Sequence, residues 1–241
     1  MTVKTLPEQA LPAEISPGVY WLDGRSSNFY LCVGDDGLTL IDAGMSRRQQ
    51  IVWAAMAAIG RRPSELKRLV ITHADMDHAG SAAVIQAQTG ATVYTGPQTA
   101  ELLAAGKSPQ HMPRLIQFFM DRFVRYQPVP AAAIEVVEDG DILPGLGGLH
   151  VLATPGHTLD HHSFYSPAVG ILFAGDALNT RDDRLNPTPP RITADREAAT
   201  RSAIRLLQLA PAVIACGHGR PMSGHSADDL MNLFNELRQG G

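Results

Sequence analysis

The sequence predicts one α/β domain, and three observations carry that prediction. Short β-prone runs bounded by turn residues alternate along the chain with stretches of helical periodicity. The 22 Gly and 17 Pro among 241 residues are spread between apolar runs, so they punctuate turns and do not mark disorder. Four of the apolar runs also end in side chains that can hold a metal. LVIT leads into His73, Asp75, Asp77 and His78; HVLATPG leads into His157; ILFAG leads into Asp176; and VIACG leads into His218.

In chain order, Val19–Leu22, Asn28–Val33 and Leu38–Ile41 read as strands, separated by the turn chemistry of Asp23-Gly24 and Gly34-Asp35-Asp36-Gly37. Gln49–Ile59 sets Ile51, Val52, Ala55, Met56 and Ile59 at helical spacing, with Gly60 as a stop. Leu69–Ile71 reads as a buried strand, Ser81–Gln88 as a helix closed by Gly90, and Thr92–Tyr94 as another strand. A helical segment at Thr99–Ala105 precedes His111–Tyr126, which carries Leu115, Ile116, Phe118, Phe119, Phe123 and Tyr126. That aromatic cluster has two readings: a helix docked on the core or on a second subunit, as in a homodimer, and a lid or pocket wall over a site. Strands return at Ile134–Val137, Leu149–Ala153, Ile171–Ala174 and Val213–Ala215, with a helix at Asp195–Gln208 between the last two. Ser226 reads as the N-cap of a terminal helix that carries Asp228 and Asp229 in its first turn. No repeat or low-complexity linker interrupts the chain, so the expectation is a single domain over residues 1–241 with a helical insertion at about 96–130.

Composition removes several function classes. The net charge is −4 and no Lys/Arg block stands out, which argues against a nucleic-acid partner. The two cysteines, Cys32 and Cys216, lie inside apolar runs and suggest no disulfide framework. The N-terminal stretch lacks a continuous apolar core with a cleavage site, and no apolar run approaches the ~18 residues that span a bilayer. The expectation is a cytoplasmic protein without a membrane partner, acting on a small molecule.

Each metal-competent side chain lies just past the carboxyl end of a predicted strand, where α/β sheets gather their functional loops. A Gly precedes His157, Asp176 and His218, which would let the backbone turn sharply there. Taken singly, a His after a strand is a hydrogen-bonded loop residue, and the Asp of a Gly-Asp pair is a turn or helix cap. The coincidence of four such sites points to a metal centre built from imidazole and carboxylate donors.

THADMDH, TPGHT, FAGD and GHG, in that order, together with LIDAG at Leu40–Gly44, make the chain resemble the metallo-β-lactamase superfamily, whose signature is T-H-x-H-x-D-H. The resemblance runs from about Val19 to His218, and residues 96–130 are its least typical part. It implies a four-layer αβ/βα sandwich, two mixed β-sheets flanked by helices, with two metal ions at one edge. Residue by residue, it assigns His73, Asp75 and His157 to the first ion and Asp77, His78 and His218 to the second, with Asp176 bridging both. Asp42 matches a residue that supports the metal loop from behind. His161 matches the second His of a TPGHTxGH pattern, with Asp160 where Gly is usual; it either supports the site, faces the substrate or makes a structural hydrogen bond. His111, His150, His162 and His225 match no ligand position and read as surface or packing residues.

Asp75 departs from the signature, which has His there. A carboxylate still binds zinc, directly or through water. Three carboxylates and four neutral imidazoles around two divalent ions leave a formal +1 where the usual set leaves +2. That raises the pKa of a bound water and moves the site toward oxygen-preferring metals. Zinc is the first expectation for the two divalent ions, with iron or manganese as alternatives. The resemblance implies a hydrolase in which a metal-bridging hydroxide attacks a small ester, thioester or lactone, with Asp77 as the catalytic residue that orients it and carries its proton. Two other readings are an iron-dependent oxidoreductase or oxygenase on the same fold, and a metal-binding protein without turnover. Asn179, Arg181, Arg184 and Arg191, in the loop after Asp176, read first as solvated loop residues and second as a seat for an anionic group.

Overall fold

Residues 12–111, 117–118, 126–224 and 227–239 are described by the computed structural model. Its first sheet begins as a meander, because β-prone runs are separated by tight turns. Strands β1 (Ala13–Ser16), β2 (Val19–Asp23), β3 (Asn28–Gly34) and β4 (Gly37–Ile41) pair antiparallel in sequence order. Helix α1 (Gln49–Ala58) then carries the chain across to β5 (Leu66–Val70), parallel to β4. The short α2 (Met76–Ala79) and α3 (Ala82–Thr89) lead to β6 (Thr92–Thr95), and α4 (Pro97–Ala105) precedes β7 (Ile134–Val136), both strands again parallel to their predecessors. The seven strands lie in sequence order, β1 to β7.

The second sheet is formed by β8 (Ile142–Leu143), β9 (Leu149–Ala153), β10 (His162–Ser166), β11 (Ile171–Gly175), β14 (Val213–Cys216) and β15 (Met222–Ser223). Their spatial order is β15-β14-β11-β10-β9-β8, with only β11 and β14 parallel. A small pair, β12 (Leu178–Asn179) and β13 (Asn186–Pro187), follows β11, and α5 (Arg196–Leu207) and α6 (Ala227–Gln239) complete the element order.

Period-two alternation explains the layering. In β3, Phe29 and Leu31 join a core with Val52, Met56 and Ile85 of α1 and α3, while Tyr30 and Cys32 face the other sheet. In β11, Ile171 and Phe173 meet that sheet, while Leu172 and Ala174 pack on Leu206 of α5 and Leu230 and Leu233 of α6. Both faces of these strands are buried, so they read in sequence as unbroken apolar runs. Three cores in succession make four layers, helices–sheet–sheet–helices, the αβ/βα sandwich that the motifs imply. Tyr30 and Phe173 meet across the middle core with ring centroids 5.5 Å apart.

The sequence reading missed β1, β8, β12, β13 and β15, which are short, and β10, which is polar. Within β10, Ser163 is buried because its hydroxyl donates to the Ala174 carbonyl at 3.1 Å and pairs with Thr154 at 2.9 Å. Asp195 caps α5 from outside, accepting from Ala198 N at 3.0 Å. Of the aromatic stretch expected as a helix over 111–126, residues 117–118 are helical and Tyr126 is not; Leu115, Ile116, Phe119 and Phe123 lie outside the described residues. So do His225, Ser226 and the side chains of Asp228 and Asp229. Among the described residues, no helix is long and apolar enough to cross a membrane.

Candidate metal centre

The two sheets are clamped together where the four strand ends meet. Tyr30 donates its hydroxyl to the Cys216 carbonyl at 2.6 Å, Asn28 Nδ2 donates to the same carbonyl at 3.0 Å, and Asn28 N donates to Gly217 O at 2.7 Å. On the other side of the edge, His162 N donates to Thr72 O at 2.9 Å. These bonds bring the end of β5, from the first sheet, against the ends of β9, β11 and β14 from the second.

Asp42, just past β4, organises the β5 end. Its backbone sits at φ 60°, a left-handed conformation that Asp adopts more readily than most residues. Its carboxylate accepts from Thr72 N at 2.9 Å and from Thr72 Oγ1 at 2.9 Å, and its Oδ2 is 2.8 Å from His78 Nδ1. A carboxylate only accepts, so Nδ1 of His78 carries the proton and Nε2 keeps a free lone pair. The Thr72 hydroxyl spends its proton on Asp42 and so accepts from His73 Nδ1 at 2.9 Å, which fixes His73 in the same tautomer. One carboxylate thereby sets two imidazoles.

Those free nitrogens point into a cluster that all seven motif residues enter. Asp75 Oδ2 is 3.5 Å from His73 Nε2 and 3.1 Å from His157 Nε2. Asp176 Oδ1 is 3.3 Å from His78 Nε2, and its Oδ2 is 3.1 Å from His218 Nε2 and 3.6 Å from His157 Nε2. Asp77 Oδ2 is 3.6 Å from His218 Nε2 and 4.0 Å from His78 Nε2. Three donor groups of a size to hold an ion result: His73, Asp75 and His157; His73, His78 and Asp176; and Asp77, His78 and His218. His73 Nε2, His78 Nε2 and Asp176 Oδ1 are buried with no hydrogen-bond partner. Such orphans cost ~1–3 kcal/mol each unless something binds them. A donor set of imidazole and carboxylate is what divalent ions take, so the residues fit the metals that the fold implies.

The electrostatics follow from burial and mutual charge. Burial pushes the Asp75 carboxyl up, but His111, His157 and His73 around it outweigh that and hold it well below the usual carboxylate range. Asp176 behaves likewise, with His218 and His78 dominating over its burial. Burial pushes His78 down, yet Asp176, Asp42 and Asp77 raise it well above the ordinary imidazole value. His161 is driven well below that value by burial and by His73 and His157.

His161 makes a structural hydrogen bond of a particular kind. Its Nδ1 bonds Thr154 Oγ1 at 2.8 Å and its Nε2 accepts from Asp176 N at 2.9 Å, so it holds the backbone that presents Asp176. Among the glycines, Gly156 and Gly175 have positive φ, as a sharp turn needs, but Gly217 does not. Gly217 is required for space instead: a Cβ there would collide with Asp176 Oδ1 and His78 Cε1. Asn179 is buried and donates to Pro187 O at 2.8 Å, while Arg181, Arg184 and Arg191 are exposed. His150 and His162 stay outside the cluster, His162 with Nδ1 3.0 Å from Asp160 O.

Of the two places the sequence reading allows for His111, surface or packing, the structure shows burial: its side chain is only 2% exposed and Nε2 lies 3.2 Å from Asp75 Oδ2. Both its ring nitrogens are buried without a hydrogen-bond partner. No local signal marks it, because it follows no strand and belongs to no motif. The open side of the cluster is elsewhere: Asp77 and His218 are 29% and 14% exposed. A cavity of about 410 Å³ adjoins His218 and is lined also by Trp21, Arg25, Ser26, Arg181 and Arg220.

Comparison with known proteins agrees with this geometry. The sequence pattern of the metallo-β-lactamase superfamily matches residues 22–218. A probable metallo-hydrolase of Bacillus subtilis, YflN, is 26% identical over 93% of this chain and 92% of its own length. A hydroxyacylglutathione hydrolase of Idiomarina loihiensis is 30% identical over a shorter stretch, 59% of this chain and 42% of that protein. Among solved structures, a HARLDQ-motif variant of a metallo-β-lactamase from Cronobacter sakazakii superimposes with a TM-score of 0.72 at 22% identity, covering 96% of this chain and 95% of that one. Fold, donor cluster and sequence pattern agree: the chain belongs to the metallo-β-lactamase superfamily and is a metal-dependent hydrolase of that group.

Proposed function

We propose that the chain hydrolyses small acyl substrates, an ester, thioester or lactone, at a pair of divalent ions. In this reading His73, Asp75 and His157 would hold the first ion and Asp77, His78 and His218 the second, with Asp176 available to both. The observation that carries it is the convergence of seven donors with three buried, unpartnered atoms among them. Zinc is the resident ion proposed, with iron or manganese as alternatives because Asp75 adds a third carboxylate. Bound there, the ions supply Lewis acidity toward the acyl oxygen and acidify water.

The chain's own residues do the rest. Asp77 is the most exposed of the seven at 29%, and its carboxylate faces both His218 and solvent. It orients the attacking water and passes its proton to the leaving group. Asp42 and His161 hold His78 and the Asp176 backbone, so the donors need not reorganise during the reaction. Since β5 comes from one sheet and β9, β11 and β14 from the other, the site exists only when both sheets are docked, and the chain works as one domain.

The cavity beside His218 is where the substrate enters. Arg25, Arg181 and Arg220 line it together with one carboxylate, Asp23, which accepts from Arg25 N at 2.7 Å; none of the three guanidinium groups is within ion-pair distance of a carboxylate among the described residues. Ser26 Oγ, also lining it, is buried without a partner. These groups suit an acyl substrate that carries a negative charge. Similarity to a hydroxyacylglutathione hydrolase favours a thioester among the three classes. Metal quantification of protein purified without added metal, followed by an activity screen over anionic and neutral thioesters, esters and lactones, tests the reading. About two equivalents of metal and a kcat/KM preference for anionic thioesters are expected. Less than half an equivalent of any transition metal, or an Asp77→Ala variant with undiminished turnover, would refute it. The third carboxylate also supports a second reading, an iron-dependent oxidoreductase, which bound iron and substrate-dependent oxygen uptake would reveal.

A further inference from the structure

We propose that Ser27 is the positioning residue for Asp77, holding from the turn between β2 and β3 the backbone of the carboxylate that orients the attacking water. Asp77 has that task in the two-ion reading above, on which this inference rests. Asp77 lies in α2, a helix of four residues. One turn cannot hold its own geometry in water, since isolated helices under ~12–15 residues are marginal. Its carbonyls are therefore fixed from outside. Ser81 N, the donor that a continuing helix would give to Asp77 O, turns away to Gly44 O at 3.1 Å. Ala43 N donates to His78 O at 2.7 Å, and the Ser27 hydroxyl donates to Asp77 O. His78 is held a second time, through Asp42. Among the described residues, Ser27 is the only side chain hydrogen-bonded to Asp77.

The turn that carries Ser27 is itself closed and anchored. Asp23 Oδ1 accepts from Arg25 N at 2.7 Å, Gly24 N donates to Ser27 O at 3.0 Å, and Arg25 sits at φ 69°. Gly24 is needed for space, because a Cβ there would stand 2.5 Å from Ser27 O and 2.6 Å from the Phe29 ring. The next residue binds the other sheet: Asn28 N donates to Gly217 O at 2.7 Å and Asn28 Nδ2 to Cys216 O at 3.0 Å, while Trp21 Nε1 donates to Asn28 Oδ1 at 2.8 Å. Successive residues thus grip the backbone of α2 and the backbone that leads to His218. Asp77 and His218 are the two least buried donors, 3.6 Å apart between Oδ2 and Nε2, and Ser27 and Asn28 fix the chain beneath both. Ser27 is buried, with its hydroxyl spent on Asp77 O. Arg25 and Ser26 of the same turn line the cavity, so the segment that meets the substrate also sets the carboxylate beside it.

The test compares full-length wild type with Ser27→Ala and with Ser27→Cys, which is nearly the same size and a weaker donor. In metal-free protein, amide exchange at His78 and Ala79, whose N–H groups donate to Asp75 O, should quicken more than about tenfold in Ser27→Ala while β5 and β11 stay protected. In zinc-loaded protein, chelator competition should show one dissociation step weakened by ~10–100-fold, the loss that follows removal of an outer partner, and the other within about threefold. On the succinyl thioester of p-nitrothiophenol, kcat per loaded chain should fall by a similar factor with KM within about threefold of wild type. Ser27→Cys should fall between wild type and Ser27→Ala, and it carries the same comparison where Ser27→Ala does not fold. Exchange in α2 and both dissociation steps within about threefold of wild type overturn the proposal, as does a loss confined to global folding stability. A wild-type chain that binds no zinc overturns the two-ion reading itself, and this inference with it.

Discussion

Asp42→Asn isolates the residue on which two imidazoles depend. The backbone tolerates the change, because Asn also adopts the left-handed conformation found at φ 60°. The carboxamide keeps the shape but turns one acceptor oxygen into a donor. If the amide nitrogen faces His78, now at 2.8 Å from Oδ2, it forces Nδ1 to accept, which moves the ring proton to Nε2 and blocks the lone pair aimed at the cluster. If it faces Thr72 N, 2.9 Å from Oδ1, two donors oppose each other in a buried site. The first orientation should weaken one ion by ~10–100-fold, which is about 1.4–2.7 kcal/mol. The second should cost ~1–3 kcal/mol of folding stability. Urea unfolding of metal-free protein and chelator competition on metal-loaded protein measure the two quantities separately. At least one must fall. If stability stays within about 0.5 kcal/mol and affinity within about threefold, Asp42 does not set the tautomers and the reasoning is wrong.

Other changes probe the remaining parts. Gly217→Ala puts a methyl against Asp176 Oδ1 and His78, so metal stoichiometry should collapse while the sheets persist; full occupancy would mean that the β14 end can shift. Phe164→Ala, in the middle core, should cost ~3–5 kcal/mol in urea, and a loss below about 1.5 would mean that the two sheets repack. Adding metal at a hundred times its dissociation constant should stabilise the protein by ~2.7 kcal/mol, and a thermal midpoint indifferent to chelators would contradict a folded-state metal site. Arg205 beside Asp139 holds that carboxyl below the usual range. The pair's contribution is therefore complete above the unfolded carboxylate pKa of about 4 and fades as pH falls through the lowered folded value. With side chains 42% and 46% exposed, it is worth under ~1 kcal/mol. The stability gap between wild type and Arg205→Ala should be present near neutral pH and close in acid; a gap that widens in acid would contradict the assignment.

How legible the molecule was depends on which side chains are considered. β11, β14 and most of β3 and β4 announce themselves because both faces are buried and nearly every residue answers to the same apolar demand, while β5 and β9 are marked by the apolar residues around the exposed Lys67 and the half-buried His150. β10 does not: His162 and Ser163 are polar, and they are buried only because Asp160, Thr154 and Ala174 satisfy them from neighbouring segments. The same contrast runs through the metal centre. All seven motif donors lie past a strand end, where topology delivers them: His73 and Asp75 in the loop after β5, Asp77 and His78 in α2, and His157, Asp176 and His218 just beyond β9, β11 and β14. His111 has no such address. It lies beyond α4, whose first turn is held to the loop before β10 by Asp160 accepting from Thr99 N.

By itself, then, the order of residues determined the layers, the strand ends and the donor set, since periodicity and motif spacing are local and each strand carries its own instructions. Only the folded chain decided which atoms meet. It decided the tautomers of His73 and His78, the need for space at Gly217, the role of His161 behind Asp176, and the arrival of His111 beside Asp75. Those are contacts between groups far apart in sequence, and their energy depends on distance and burial, quantities that exist only once the two sheets have closed on each other.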